Sequence, residues 1–279
     1  MTLKSAKLLA RLGNTAALAL LLAAPSLATD VTMEFDVANF PDAANLTNPY
    51  LSYGAGDTFI YMAETPDGCE WSIVTVDGTE PIDVDPGPGE TILNVREVQD
   101  LEYEDEACDG PDHPGELAET TLDWYGQDDE MNVWYFGEDS RECEAGVCDP
   151  APGEGSWLAF DDGALPGIIM LGDPDSGERY RQEFAEEVAL DWGMVMNLNG
   201  MPVLKLEDAV DSEEFEDCLV TKEWNELEPG AVEQKTYCPD VGLVLVEEHS
   251  GKLVRFELVE DSDPPEEGAD AFIFRTPQN

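Results

Sequence analysis

The chain has 279 residues, with 63 Asp and Glu against 13 Lys and Arg, a formal net charge of −50 at pH 7 and a pI near 4.1. That balance excludes nucleic acid as a partner, because phosphate binding needs a basic stripe that releases counterions, and it disfavours anionic membrane surfaces for the same reason. An apolar content of 42% is nevertheless enough to bury a sizeable core, so the chain is expected to fold.

The first 28 residues have the layout of an export signal. Lys4, Lys7 and Arg11 form a basic head, residues 16–24 an apolar stretch, and Ser26-Leu27-Ala28 the small residues that precede a cut, which places cleavage after Ala28. The predicted address is secreted or periplasmic, in a bacterium. No later stretch approaches the roughly 18 consecutive apolar residues of a membrane helix, so no membrane insertion is expected. Removing residues 1–28 takes away three cations and no acids, which leaves 10 Lys and Arg against 63 acids.

Beyond the signal, short runs rich in aromatic and β-branched residues recur between Gly, Pro and Asp clusters: 58–63, 71–76, 91–98, 120–125, 132–137, 167–171, 219–224, 232–237, 242–247 and 252–258. This is the pattern of antiparallel strands. The predicted fold is mainly β, a curved antiparallel sheet or barrel-like single domain over residues 29–279, with at most one or two short helices. Residues 83–90 (DVDPGPGE) read as a long turn between adjacent strands. The acidic clusters at 101–106, 211–217 and 260–267 read as solvated loops.

The densest segment is residues 120–138, TTLDWYGQDDEMNVWYFGE. A four-residue turn at 128–131 would pair Gln127 with Asn132, Tyr125 with Trp134 and Asp123 with Phe136. Alternation then puts Asp123, Tyr125, Gln127, Asn132, Trp134 and Glu138 on one face, and Trp124, Val133 and Tyr135 on an opposite face that looks like core. Two carboxylates, two amides and two aromatic rings together suit a small polar or saccharide ligand. A hydrogen-bonded sheet face with cross-strand aromatic pairs would look the same.

The segments DWYGQD and NVWYFGE resemble a signature, roughly DWYAQD followed by GNVWYFGE, of a family of secreted bacterial proteins. The likeness extends to Asn48-Pro49-Tyr50, Gly155-Ser156-Trp157, 163–168 (GALPGI), 180–183 (YRQE), 219–224 (LVTKEW), 227–230 (LEPG) and 241–244 (VGLV). This chain departs in having Gly126 for Ala and Cys238-Pro239-Asp240 for Ala-Pro-Gly. The resemblance implies one secreted domain and brings no reaction with it.

Residues 178–192 are the main helix competitor: Tyr180, Phe184 and Val188 recur every four residues. The alternation of Tyr180, Gln182 and Phe184 fits a strand equally well. Further on, Cys218 and Cys238 facing each other across a hairpin would set Thr221 opposite Lys235 and Glu223 opposite Glu233. Two carboxylates so placed need a cation between them or a retained proton. Lys222, Lys235, Arg179 and Arg181 are the cations at hand. Glu223, Glu233, Lys235 and Arg181 thus form either a salt-bridged layer that fixes register or a site for a cation or an acid–base pair.

Six cysteines in an exported chain predict three disulfides, and Cys69–Cys108, Cys143–Cys148 and Cys218–Cys238 join sequence neighbours, the last two with hairpin spacing. No C-x-x-C pair occurs, and His113 and His249 cannot complete a zinc set at these spacings. Calcium is the one metal worth weighing: DPDSGE at 173–178 and Asp161-Asp162-Gly163 have the flavour of calcium loops without EF-hand spacing. No cofactor is otherwise expected. There is no nucleophile elbow, zincin motif, Walker loop or dinucleotide fingerprint. The sequence therefore points to a non-catalytic binding or envelope protein. The alternatives are a glycan hydrolase using two of Asp123, Asp128, Glu138, Glu223 and Glu233, or a calcium-binding structural protein.

Overall fold

Period-two alternation over most of the chain leaves sheet as the only regular structure that can bury one face and satisfy the backbone. The computed structural model describes residues 28–85, 91–211, 215–249 and 253–262. The expected export signal, parts of the 83–90 turn and of the 211–217 acidic run, and most of the 260–267 run lie outside them.

In chain order the elements are β1 (Thr29–Asp30), a 3-10 turn (Val37–Asn39), β2 (Thr58–Thr65), β3 (Gly68–Asp83), β4 (Ile92–Asp105), β5 (Glu116–Gln127) and β6 (Val133–Glu144). Then come β7 (Val147–Cys148), β8 (Trp157–Leu158), β9 (Leu165–Met170), β10 (Glu178–Arg181) and β11 (Glu183–Phe184). The last are β12 (Asp191–Gly200), β13 (Cys218–Asn225), β14 (Glu233–Cys238), β15 (Gly242–His249) and β16 (Leu253–Ser262). All ten predicted strands are present, and β12 joins them, unforeseen.

These strands form one curved, almost wholly antiparallel sheet, in which β2 to β6 and β12 to β16 are two meanders joined by β16 pairing with β2. Its two ends are brought together by one kinked segment. β10 pairs with β12, whereas β11, two residues further on, pairs with β9, and at the kink the Gln182 N–H donates to the Asp191 carbonyl at 2.9 Å. The possible helix at 178–192 is thus two short strands followed by a turn at residues 185–189, with Glu187 at φ 64°. The acidic cluster at 101–106 is not a loop: all but its last residue belongs to β4.

The three predicted disulfides are formed, Cys69–Cys108, Cys143–Cys148 and Cys218–Cys238. They fit an oxidising, extracytoplasmic compartment. Among the described residues, no helix is long and apolar enough to cross a membrane.

The core lies largely at the margins of the curve rather than at its centre. Residues 31–53 pack over β6 and the adjoining ends of β3 to β5, where Phe35, Phe40, Trp134 and Phe136 meet with ring centroids 5.2–6.0 Å apart. A second cluster of Phe59, Val74, Val76, Val98, Val244 and Leu258 surrounds the Cys218–Cys238 bridge. The concave space left between them is polar.

Candidate functional site

A cavity of about 410 Å³ occupies the concave side of the sheet. Alternation builds its wall, interrupted in β6 by a bulge. From β4 come Asp100 and Glu102, from β5 Glu119, Thr121, Asp123 and Tyr125, from β6 Tyr135 and Glu138, and from β14 Glu233, Lys235 and Tyr237. Tyr53, Tyr61, Glu183 and Glu248 add to it, and Val98, Ile169, Val246 and Phe256 supply apolar floor.

The register places like charges face to face. Glu102 pairs with Glu119, Asp123 with Glu138, and Glu223 with Glu233, which in turn pairs with Glu248. The expected 218–238 hairpin is present with its expected register, Thr221 opposite Lys235 and Glu223 opposite Glu233. Lys235 is the cation that resolves this last conflict: its Nζ lies 2.9 Å from Glu223 Oε2 and 3.1 Å from Glu233 Oε2. Glu223 is buried, and its Oε1 accepts from Thr221 Oγ1 at 2.8 Å. The Lys235 charge holds Glu233 below the usual carboxylate range. Burial would lower Lys235 itself, but Glu223 and Glu233 outweigh it and keep the ammonium well above its ordinary value.

The Asp123–Glu138 pair is resolved differently. The Tyr135 hydroxyl lies 2.5 Å from Asp123 Oδ1 and 2.8 Å from Glu138 Oε2. A phenol has one proton to give, so it donates to one carboxylate and accepts from the other, which must hold a proton. Burial, reinforced by the Glu138 charge, pushes Asp123 up to about 8, and burial raises Glu138 as well. Glu102 also rises to about 8, first through burial and then through Asp100 and Glu119. Asp100 reaches about 6 through burial, against a hydrogen bond from Ser72. Burial also drives Glu183 well above its usual value and Asp191 to about 6.

Of the residues predicted for a site, Asp123, Tyr125, Glu138, Glu233 and Lys235 line this cavity, and Glu223 reaches it through Lys235. Gln127, Asn132 and Trp134 do not. The connection after β5 is one residue longer than predicted, closed by the Asp128 N–H donating to the Asn132 carbonyl at 3.0 Å. The pairs are therefore Gln127–Val133 and Tyr125–Tyr135, and a bulge then sets Asp123 opposite Glu138 rather than opposite Phe136 as predicted. The slip sends Tyr135 into the cavity and Trp134 to the far face.

The residues left out of the cavity form a buried polar anchor beside it. Gln127 Oε1 accepts from the backbone of Thr47 and Asn48 at 2.7 and 2.8 Å. Asp128 accepts from Asn132 Nδ2 and Trp134 Nε1 at 2.9 and 2.8 Å, and Asn132 Oδ1 accepts from the Gly172 N–H at 2.9 Å. Arg181 is elsewhere again, 4.1 Å above the Trp192 ring and 3.4 Å from Glu226. The 173–178 segment is a turn in which Glu178 accepts from the Asp175 N–H at 2.8 Å. Among the described residues, no three His, Cys, Asp or Glu side chains converge as a ready metal site.

Asp100, Glu102, Glu119, Glu183, Glu248, Tyr53, Tyr61 and Tyr237 were not foreseen as cavity residues. Their signal was the i, i+2 spacing of Asp100 with Glu102 and of Glu119, Thr121 and Asp123. It is legible only once 101–106 is read as strand.

No protein-family model matches this chain, and no curated protein matches it. Among solved structures it is similar to a candidate lipoprotein from Parabacteroides distasonis ATCC 8503, at 11% identity and a TM-score of 0.35, over 77% of this chain and 99% of that one. It is likewise similar to a candidate exported protein with a YmcC-like fold from Bacteroides fragilis NCTC 9343, at 14% identity and a TM-score of 0.35, over 78% of this chain and 100% of that one.

Proposed function

We propose that this is an exported, non-catalytic binding protein that holds one small polar ligand on the concave side of its sheet. The supporting observation is the inverted lining. Carboxylates and tyrosines face a cavity of about 410 Å³, a size typical of small-molecule sites. A wall of carboxylates and phenols suits hydroxyl-rich or amine-bearing molecules. Hydrolysis by Asp123 and Glu138 is the weaker reading. An acid–base pair needs environments that push its two carboxyls apart, whereas burial raises both of these and Tyr135 occupies the position between them. Export with cleavage after Ala28 and release into the periplasm or beyond belong to the same proposal.

Calorimetry and thermal unfolding of the mature chain against sugars, amino acids and amines provide the test. One class should bind with one-to-one stoichiometry and raise the melting temperature, and Thr121→Trp, which fills the cavity, should abolish both effects. Binding that survives Thr121→Trp unchanged, or no binding by any class, would overturn the proposal.

A further inference from the structure

Within the binding reading above, on which this step rests, we infer that the cavity takes an organic cation carrying primary or secondary amines. Lys235 shows what this wall does with an ammonium: two opposed carboxylates, Glu223 and Glu233, grip it at 2.9 and 3.1 Å. The same opposed arrangement recurs at Glu102–Glu119, and at Asp123–Glu138, where the Tyr135 hydroxyl and a retained proton already meet the conflict. No lysine or arginine among the described residues forms an ion pair with those four. Opposed like charges destabilise a sheet unless a cation or a proton lies between them. At Glu102–Glu119 a ligand ammonium would supply the cation that Lys235 supplies further along the wall.

A second observation is independent of the acids. Tyr237 is 4% exposed and lines the cavity, and its hydroxyl makes no hydrogen bond to any described residue. A hydroxyl that opens to the cavity without bonding to its wall is free to donate to and accept from a polar ligand. The neighbouring rings favour a cation over a neutral ligand: Tyr125 and Tyr135 stack with centroids 5.0 Å apart, and Tyr53 lies 6.0 Å from Tyr125. Aromatic faces attract ammonium groups, most of all when water is displaced. A bare metal ion fits less well, since the carboxylates are spread along the wall with no convergent group of three and the space is many times an ion's volume.

Titration calorimetry with spermidine and putrescine, in parallel with neutral sugars and with calcium, tests this on the full disulfide-bonded mature chain. Buffers hold about 0.5 M NaCl, where screening removes most diffuse attraction to the anionic surface. The expected result is one amine per chain with a change in tyrosine absorbance. Affinity should fall at least tenfold in Glu102→Gln and severalfold in Tyr237→Phe, and stay unchanged in the surface variant Glu228→Gln. Glu102→Gln removes a like-charge conflict, so its unliganded melting temperature should be equal or higher, which separates lost binding from lost fold. Amine binding at many sites that vanishes at this salt, or that falls equally in the surface variant, would overturn the inference. Sugar or calcium binding without amine binding would overturn it and leave the binding reading standing. No binding at all would overturn both.

Discussion

Lys235 is the residue on which the inner wall most depends. Replacing it with Met leaves Glu223, 6% exposed, facing Glu233 without a cation. Breaking a buried pair in this way costs about 3–5 kcal/mol. Lys235→Met should therefore lose stability on that scale in urea unfolding, and Lys235→Met with Glu223→Gln should recover much of it. A single-variant loss below about 1 kcal/mol would mean that water screens the pair. Asp123 and Glu102 act in the opposite sense. Their folded values near 8 lie above their ordinary values of 3.8 and 4.5. Both therefore favour the fold while protonated, and that contribution is lost as pH rises from about 4 through about 8. Glu233, held low by Lys235, contributes stability that is lost on acidification. The melting temperature should peak at mildly acidic pH and fall towards pH 9. Asp123→Asn should flatten the alkaline side, with a gain on the order of 2 kcal/mol near pH 8 after allowance for water in the cavity, and little gain near pH 4.

At the scale of elements, the two central hairpins differ in how far their sequences reveal them. The 218–238 ribbon was legible because its disulfide joins directly opposed positions, and one such pair sets the register of all the others. The 116–144 ribbon is half legible: alternation places its strands and Asp123, Tyr125 and Glu138 together, but it misplaces Asn132 and Trp134, and Gln127, on the expected face, is taken up by the backbone of Thr47 and Asn48. The cause is local. Met131 adopts φ 65° in a longer turn, and Gly137 adopts φ 134° at the bulge. At Gly137 an added Cβ would stand 2.2 Å from the Trp157 carbonyl oxygen and 2.9 Å from Leu158 Cα, both of them backbone held by the β6–β8 pairing. Gly137→Ala should therefore destabilise by roughly 2–4 kcal/mol and shift Glu138 relative to Tyr135. Thermal unfolding reads the first effect, and the pH dependence of tyrosine absorbance reads the second. A variant as stable as the parent would show that the bulge can move.

The chain carries far more negative charge than the ion pairs among the described residues offset, and part of that charge is turned inward. Self-repulsion should make its stability rise with ionic strength, steeply up to about 0.15 M salt and weakly beyond, as the screening length shortens from tens of ångströms to about 8 Å. A melting temperature independent of NaCl would show that the acids are already neutralised in pairs. β class, strand positions, cross-links and overall anionic character were determined by the sequence itself, because alternation, cysteine spacing and charge are local or additive properties. The enclosed side of each ribbon was decided only by the tertiary structure. An alternating strand defines two faces, and the usual rule assigns the apolar one to the interior. In β4 and β5 the assignment is reversed: Leu101 and Leu122 lie part-exposed on the outer face, while the exposed Glu102 and the part-exposed Asp123 line the cavity. Curvature is set by strands paired from both ends of the chain, and no single segment encodes it.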